Sequence, residues 1–295
     1  MQKASHKIGF FVYILLLIYY FFIKKMIIKK TLVFYWYASK AFLNDLTYPF
    51  HLACLGKYSN VFDEAIFMIA VDDDDKDLVL NTENKILNAI QGNIPTIKFD
   101  VIKNNKLCEV NAFSKYILNK HTDDNVFEVF FFAHTKGVRI INFYPDYCED
   151  YLHWIFSLYF YSLEPEFLFE MEMKIISGYG GKLSSFFGPL CSFTKEGYGF
   201  YPGTFYWVNM KNIINDCNDG KITIPEIANR AFCECFPMIY KDKIEKITSH
   251  NNIIKPYDES VNFYNHCDWN SITYFFGENE RYLNEYNKIK ESIGL

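Results

Sequence analysis

The stretch Phe130-Phe131-Phe132-Ala133-His134-Thr135-Lys136-Gly137 decides the fold. Its apolar run stops abruptly on polar residues and a glycine. A strand buried on both faces reads as such an unbroken run, the mark of a parallel sheet covered by helices. Ligands of open α/β sheets gather at the carboxyl ends of the strands, so this run would deliver an imidazole, a hydroxyl and an ammonium into a crevice. Those groups suit a phosphate or diphosphate, because Lys carries three donors and no lone pair for a metal. The same residues also fit an ordinary strand that ends in a polar turn.

The pattern repeats on the amino-terminal side. Residues 31–38 and 65–71 read as strands, the second running into Asp72, Asp73, Asp74 and Asp75, and 96–102 as a third. Residues 45–58, 78–91 and 109–119 between them have helical spacing. The series βαβαβαβ predicts right-handed crossovers and a mainly parallel sheet with helices on both faces. A helix over 150–163, stopped by Glu164-Pro165, follows, then turn-rich segments at 178–181 and 197–203 and a strand-like run at 204–210. With no internal repeat or low-complexity linker, the expectation is one Rossmann-like α/β domain over 26–295 with a variable carboxyl-terminal half.

Composition narrows the function classes. Half of the 295 residues are hydrophobic, enough for a large core and far from a disordered chain. A net charge of -5 with scattered lysines argues against a nucleic-acid partner, which needs a basic face. The eight cysteines are widely spread and form no C-x-x-C pair, and Cys233-Glu234-Cys235 lacks the second pair of a structural zinc site. Reduced, mostly buried thiols are expected. A G-x-S-x-G elbow and a G-x-G-x-x-G after the first strand are both missing, which disfavours a serine hydrolase and a dinucleotide oxidoreductase.

Residues 1–25 stand apart. The uncharged run 8–23 would span about 24 Å as a helix, against roughly 30 Å of hydrocarbon. Lys24, Lys25, Lys29 and Lys30 follow it and only Lys3 and Lys7 precede it, so as an anchor it would leave the main domain on the cytoplasmic side. Met26 offers a second start directly before the first strand, which would make 1–25 an extension outside the domain.

The order of strand, acidic turn, strand, Lys103-Asn104-Asn105, helix, strand and polar loop, followed by Tyr201-Pro202-Gly203-Thr204-Phe205-Tyr206-Trp207-Val208-Asn209, resembles a nucleotide-sugar glycosyltransferase of the GT-A type. It is similar to bacterial and protist glycosyltransferases that carry "AHTKG" and "Y-x-G-x-F-x-W-x-N" segments, over about residues 31–240. The resemblance implies transfer of a sugar from a nucleotide-diphosphate donor, a UDP-sugar first among them, to a glycan or glycolipid acceptor in surface polysaccharide or glycoconjugate synthesis. The same pocket without turnover would make a membrane-tethered carbohydrate- or nucleotide-sugar-binding protein.

Residue roles follow from the resemblance. GT-A enzymes usually place a D-x-D metal motif after the fourth strand, where this chain has His134-Thr135-Lys136. Either no metal is used and His134, Thr135 and Lys136 hold the diphosphate, or Mn or Mg is held by acids elsewhere, Asp72–Asp75 being the rivals. No residue is assigned to a metal. Asp72 and Asp73 are expected at the base or ribose, together with Tyr37, which can stack on uracil, and Asn104, which can hydrogen-bond to it. Asp74, Asp75 and Asp77 fit equally well as caps of the next helix. On the acceptor side stand Tyr201, Gly203, Trp207 and Asn209. Phe205, Trp207 and Asn209 share one face of their strand and Tyr206 and Val208 the other, so one set is core. An inverting transfer needs a carboxylate to take the acceptor's proton. Glu234 is the first candidate, ahead of Glu226 and Asp146, although Arg230 four residues earlier also makes Glu234 a candidate for a surface ion pair.

Overall fold

Runs too apolar to leave either face in water must be covered on both, and three such runs form the centre of the sheet. The computed structural model describes residues 28–40, 45–90, 92–118, 127–135, 148–177, 186–188, 192–193, 199–200, 204–210, 233, 244–246 and 280–295. Strands β1 (Ile28–Ala38), β2 (Glu64–Val71), β3 (Thr96–Lys103) and β4 (Phe127–His134) lie parallel in the order β3-β2-β1-β4. β2 is buried throughout and β1 and β4 nearly so, whereas β3, on the edge, alternates with Lys98 and Asp100 on the same face. Beyond β4 come short strands β5 (Phe186–Gly188), β8 (Tyr206–Asn209) and β9 (Ile244–Lys246), which complete a seven-stranded sheet ordered β3-β2-β1-β4-β8-β5-β9. β8 runs antiparallel to both β4 and β5. β6 (Ser192–Phe193) and β7 (Gly199–Phe200) form a separate pair. The architecture is a mixed, mostly parallel α/β sheet flanked by helices, as the alternating pattern predicts.

Alternation along the strands sorts the helices between the faces. Helix α1 (Thr47–Tyr58) lays His51 against Phe34 and Trp36 of β1, with ring centroids 6.0 and 6.4 Å apart. Helix α2 (Lys76–Ile90) packs beside α1. At that contact a Cβ on Gly56 would stand 2.8 Å from the Ala89 carbonyl oxygen, a backbone atom that cannot move aside. Gly56→Ala is therefore expected to cost about 1–3 kcal/mol in urea unfolding, and a loss below the error of the melt would show that the helices can part freely. Helix α3 (Val110–Phe113) covers the opposite face and continues into a π-helical turn, Ser114–Leu118, so the expected 109–119 helix changes its winding halfway. Phe113 meets Phe132 and Tyr206 there, and Tyr116 donates to Asp100 at 2.8 Å.

Helix α4 (Cys148–Leu163) returns to the α1 side and is followed by α5 (Pro165–Ser177). Helix α6 (Glu280–Ser292), not among the expected elements, closes that layer. Its buried Tyr282, Tyr286 and Ile289 recur at helical spacing, the signal that identifies it; Tyr282 packs on Phe156, and Tyr286 on Phe156 and Phe50. Of the cysteines among the described residues, Cys54 and Cys233 are buried and Cys108 is half-buried, each as a thiol rather than in a disulfide. Among the described residues no helix is long and apolar enough to cross a membrane, and residues 8–23 lie outside them.

The amino-terminal edge of the sheet carries a charge network. Glu64 accepts from Lys29 at 2.6 Å and from Lys98 at 2.5 Å, while Lys29 also reaches Glu128 at 3.1 Å. Burial alone would push the Glu64 carboxyl up, and the two lysines outweigh it, holding the group below its ordinary value. A carboxyl depressed in the folded state stabilises above its unfolded pKa and loses that contribution as pH falls through the folded one. Acid titration of stability below about pH 5 should therefore be shallower in Glu64→Gln than in the parent chain. Identical slopes in the two urea-melt series would remove Glu64 from the account.

Candidate functional site

The chain runs outward from β1 to β2 and β3 and then jumps back over β1 to β4. Strand order thus reverses between β1 and β4, the position where open α/β sheets leave a crevice at their carboxyl ends. Five of the expected donor-side residues meet along this edge. Tyr35 and Tyr37, two apart on β1, point to the same face. Asp72 follows β2 directly and Asn104 follows β3, whose end is fixed by the Asn104 amide donating to the Val71 carbonyl at 2.7 Å.

Their side chains form a continuous hydrogen-bonded chain. The Tyr35 hydroxyl donates to Asn104 Oδ1 at 3.0 Å, Asn104 Nδ2 donates to Asp72 Oδ1 at 2.8 Å, and the Tyr37 hydroxyl donates to Asp72 Oδ2 at 2.5 Å. Tyr35 and Tyr37 are buried, Asn104 is half-buried and Asp72 is exposed. The array therefore rises from the core and ends on a carboxylate at the surface, oriented from two sides. Tyr35, not among the expected site residues, sets the rotation of the Asn104 amide. Its position two residues before Tyr37 on a strand is the sequence signal for that role.

β4 supplies the other wall. His134, buried, stands in register beside Tyr35. Thr135 extends the ladder, its amide donating to the Tyr35 carbonyl at 3.0 Å and its Oγ1 accepting from the Tyr37 amide at 3.0 Å. The Phe205 ring lies 6.3 Å from the His134 ring. Thr204, just before it, is fully buried with φ 58° and its Oγ1 has no hydrogen-bond partner among the described residues. A β-branched residue in the left-handed region stores about 1–3 kcal/mol of strain, which clusters at functional sites. Nothing in a threonine codes for that conformation.

The acidic turn divides by role. Asp75 Oδ1 accepts from the Leu78 amide at 3.0 Å and the same carboxylate pairs with Lys40, so it caps α2, as one of the two expectations for it held. Asp73 is exposed beside Asp72. At the start of α1, Asp45 Oδ1 accepts from the Thr47 amide and hydroxyl at 2.9 and 2.8 Å, and burial pushes its carboxyl up against those two bonds.

Of the expected acceptor residues, Trp207 and Asn209 fall among the described ones. Because β8 runs antiparallel to β4, Asn209 pairs with Val129 near the start of that strand, while His134 is at its end, about 17 Å away along the strand. Asn209 is moreover buried. Trp207 is fully buried, its ring centroid 5.6 Å from Phe62 and 5.1 Å from Phe131, and its indole N–H donates to the Ser162 carbonyl at 3.0 Å. Both faces of the strand are core, so Trp207 packs rather than presents a platform. Lys136, Asp146, Tyr201, Gly203, Glu226 and Glu234 lie outside the described residues.

For Mn or Mg the donor set at the crevice is a poor fit among the described residues. No group of three or more His, Cys, Asp or Glu side chains stands close enough to hold an ion. Asp72 is engaged by Tyr37 and Asn104, and Asp75 by Lys40 and the α2 amide. Compared with known protein families and with characterised proteins, the chain matches no family model and shows no significant similarity to a curated protein.

Proposed function

We propose that the chain is a GT-A-like glycosyltransferase that binds a nucleotide-diphosphate sugar, a UDP-sugar first among them, at the carboxyl edge of β1–β4. The observation that carries this reading is the Tyr35–Asn104–Asp72–Tyr37 chain beside His134 and Thr135. A carboxylate and an amide of fixed orientation suit a nucleobase edge or ribose hydroxyls, whose donors and acceptors are equally fixed. An imidazole, a hydroxyl and the following Lys136 suit the diphosphate, and bond cleavage to the sugar needs that charge to be stabilised as it develops on the leaving group.

Transfer then requires a base for the attacking hydroxyl of the glycan or glycolipid acceptor. Glu234, Glu226 and Asp146 are the candidates in that order, with Tyr201 and Gly203 on the acceptor side. Work on surface polysaccharide or glycoconjugate at the cytoplasmic face of a membrane, with residues 8–23 as anchor, fits the lysine pattern around that run.

A panel of nucleotide sugars tested by thermal shift, with and without Mn, checks this. A ligand at 100 times its Kd adds about 2.7 kcal/mol, a rise of several degrees for a chain of this size. At least one sugar nucleotide is expected to give that rise without Mn. A rise seen only with Mn would assign the diphosphate to a metal, and no rise with any donor would sink the reading.

A further inference from the structure

On the opposite face of β1 from Tyr35 and Tyr37 lies a cavity of about 320 Å³ between β1, α1 and α2. Its inner wall is apolar: Trp36 stacks on Tyr48 with ring centroids 5.8 Å and planes 19° apart, and Leu52 lies beside them. Its polar groups come from Ser39, buried just after β1, from Tyr48 and from α2. Asn81, Thr82 and Lys85 lie on α2, and the Thr82 hydroxyl is turned to the Leu78 carbonyl at 2.8 Å. Asn81 and Lys85, both exposed, stand at the mouth, and Ser39 lies deeper. Lys85 makes no salt bridge with another described residue.

A cavity of this size lined by aromatic and aliphatic carbon with a few polar groups has the make-up of a small-molecule site. We propose that it is a second binding site, separate from the crevice, for a flat apolar or aromatic body carrying one anionic end. The body lies against Trp36, Tyr48 and Leu52, and the anion meets Lys85, with the Asn81 amide as a second donor. The Tyr48 hydroxyl donates to the Tyr37 carbonyl at 2.6 Å, so one side chain borders both the cavity and the backbone of the crevice. The proposal does not depend on the glycosyltransferase reading.

Anilinonaphthalene sulfonate and its neutral counterpart N-phenylnaphthylamine, both fluorescent in apolar surroundings, are the probes. Titrated into the folded full chain, the sulfonate is expected to bind saturably, one per chain. Lys85→Glu, on the surface of α2, should weaken the sulfonate about 10-fold and leave the neutral probe unchanged, while Leu52→Trp should remove both by filling the space. Sulfonate affinity unchanged in Lys85→Glu overturns the proposal, as does the lack of saturable binding. Should Leu52→Trp fail to fold, the Lys85→Glu comparison still decides.

Discussion

Replacing Asp72 by alanine is expected to weaken nucleoside-diphosphate binding about 10- to 100-fold, since hydrogen bonds to a charged group are worth about 1.5–3 kcal/mol. The melting temperature should hardly move. Asp72 is exposed, and its partners Tyr37 and Asn104 can turn to water once it is gone. Asp72→Asn separates charge from geometry, because an amide oxygen can still accept from Tyr37 while the second position becomes a donor facing the Asn104 amide. Calorimetric titration of the three proteins reads the effect, and equal affinity in all three would remove Asp72 from the site.

Trp207→Ala is expected to cost about 3–5 kcal/mol of stability in urea unfolding, the range for deleting a large buried aromatic. The indole is sealed by Phe62 and Phe131, and its loss also strands the Ser162 carbonyl that it serves. Trp207→Phe keeps much of the packing and loses the donor, so it should fall between the two. A loss below about 1 kcal/mol for alanine would mean that Trp207 is a surface group after all and would reopen its role as a sugar platform.

The four parallel strands were legible because each is long, bounded by turn residues and, β3 excepted, apolar on both faces, which a helix of that length would not require. The crevice followed from their order. Asp72, Asn104 and Tyr37 could be placed together from sequence because topology alone brings the strand ends to one edge. What the residues did not encode was the direction of β8. An alternating or wholly apolar run reads the same both ways, and only the pairing of Val129 with Asn209 separates that asparagine from His134. The short strands β5 and β9 carry too few residues for a period to emerge. Tyr35 was harder to single out: its hydroxyl acts on another side chain, and only its place two residues before Tyr37 on β1 marks that positioning role.

The central claim is that the edge built from Tyr35, Tyr37, Asp72, Asn104, His134 and Thr135 holds a nucleoside diphosphate. Calorimetric titration of the full chain with UDP, GDP, ADP, CDP and dTDP tests it most directly. Saturable one-to-one binding of at least one of them, UDP foremost, is the predicted result, and the absence of binding by all five would contradict the account.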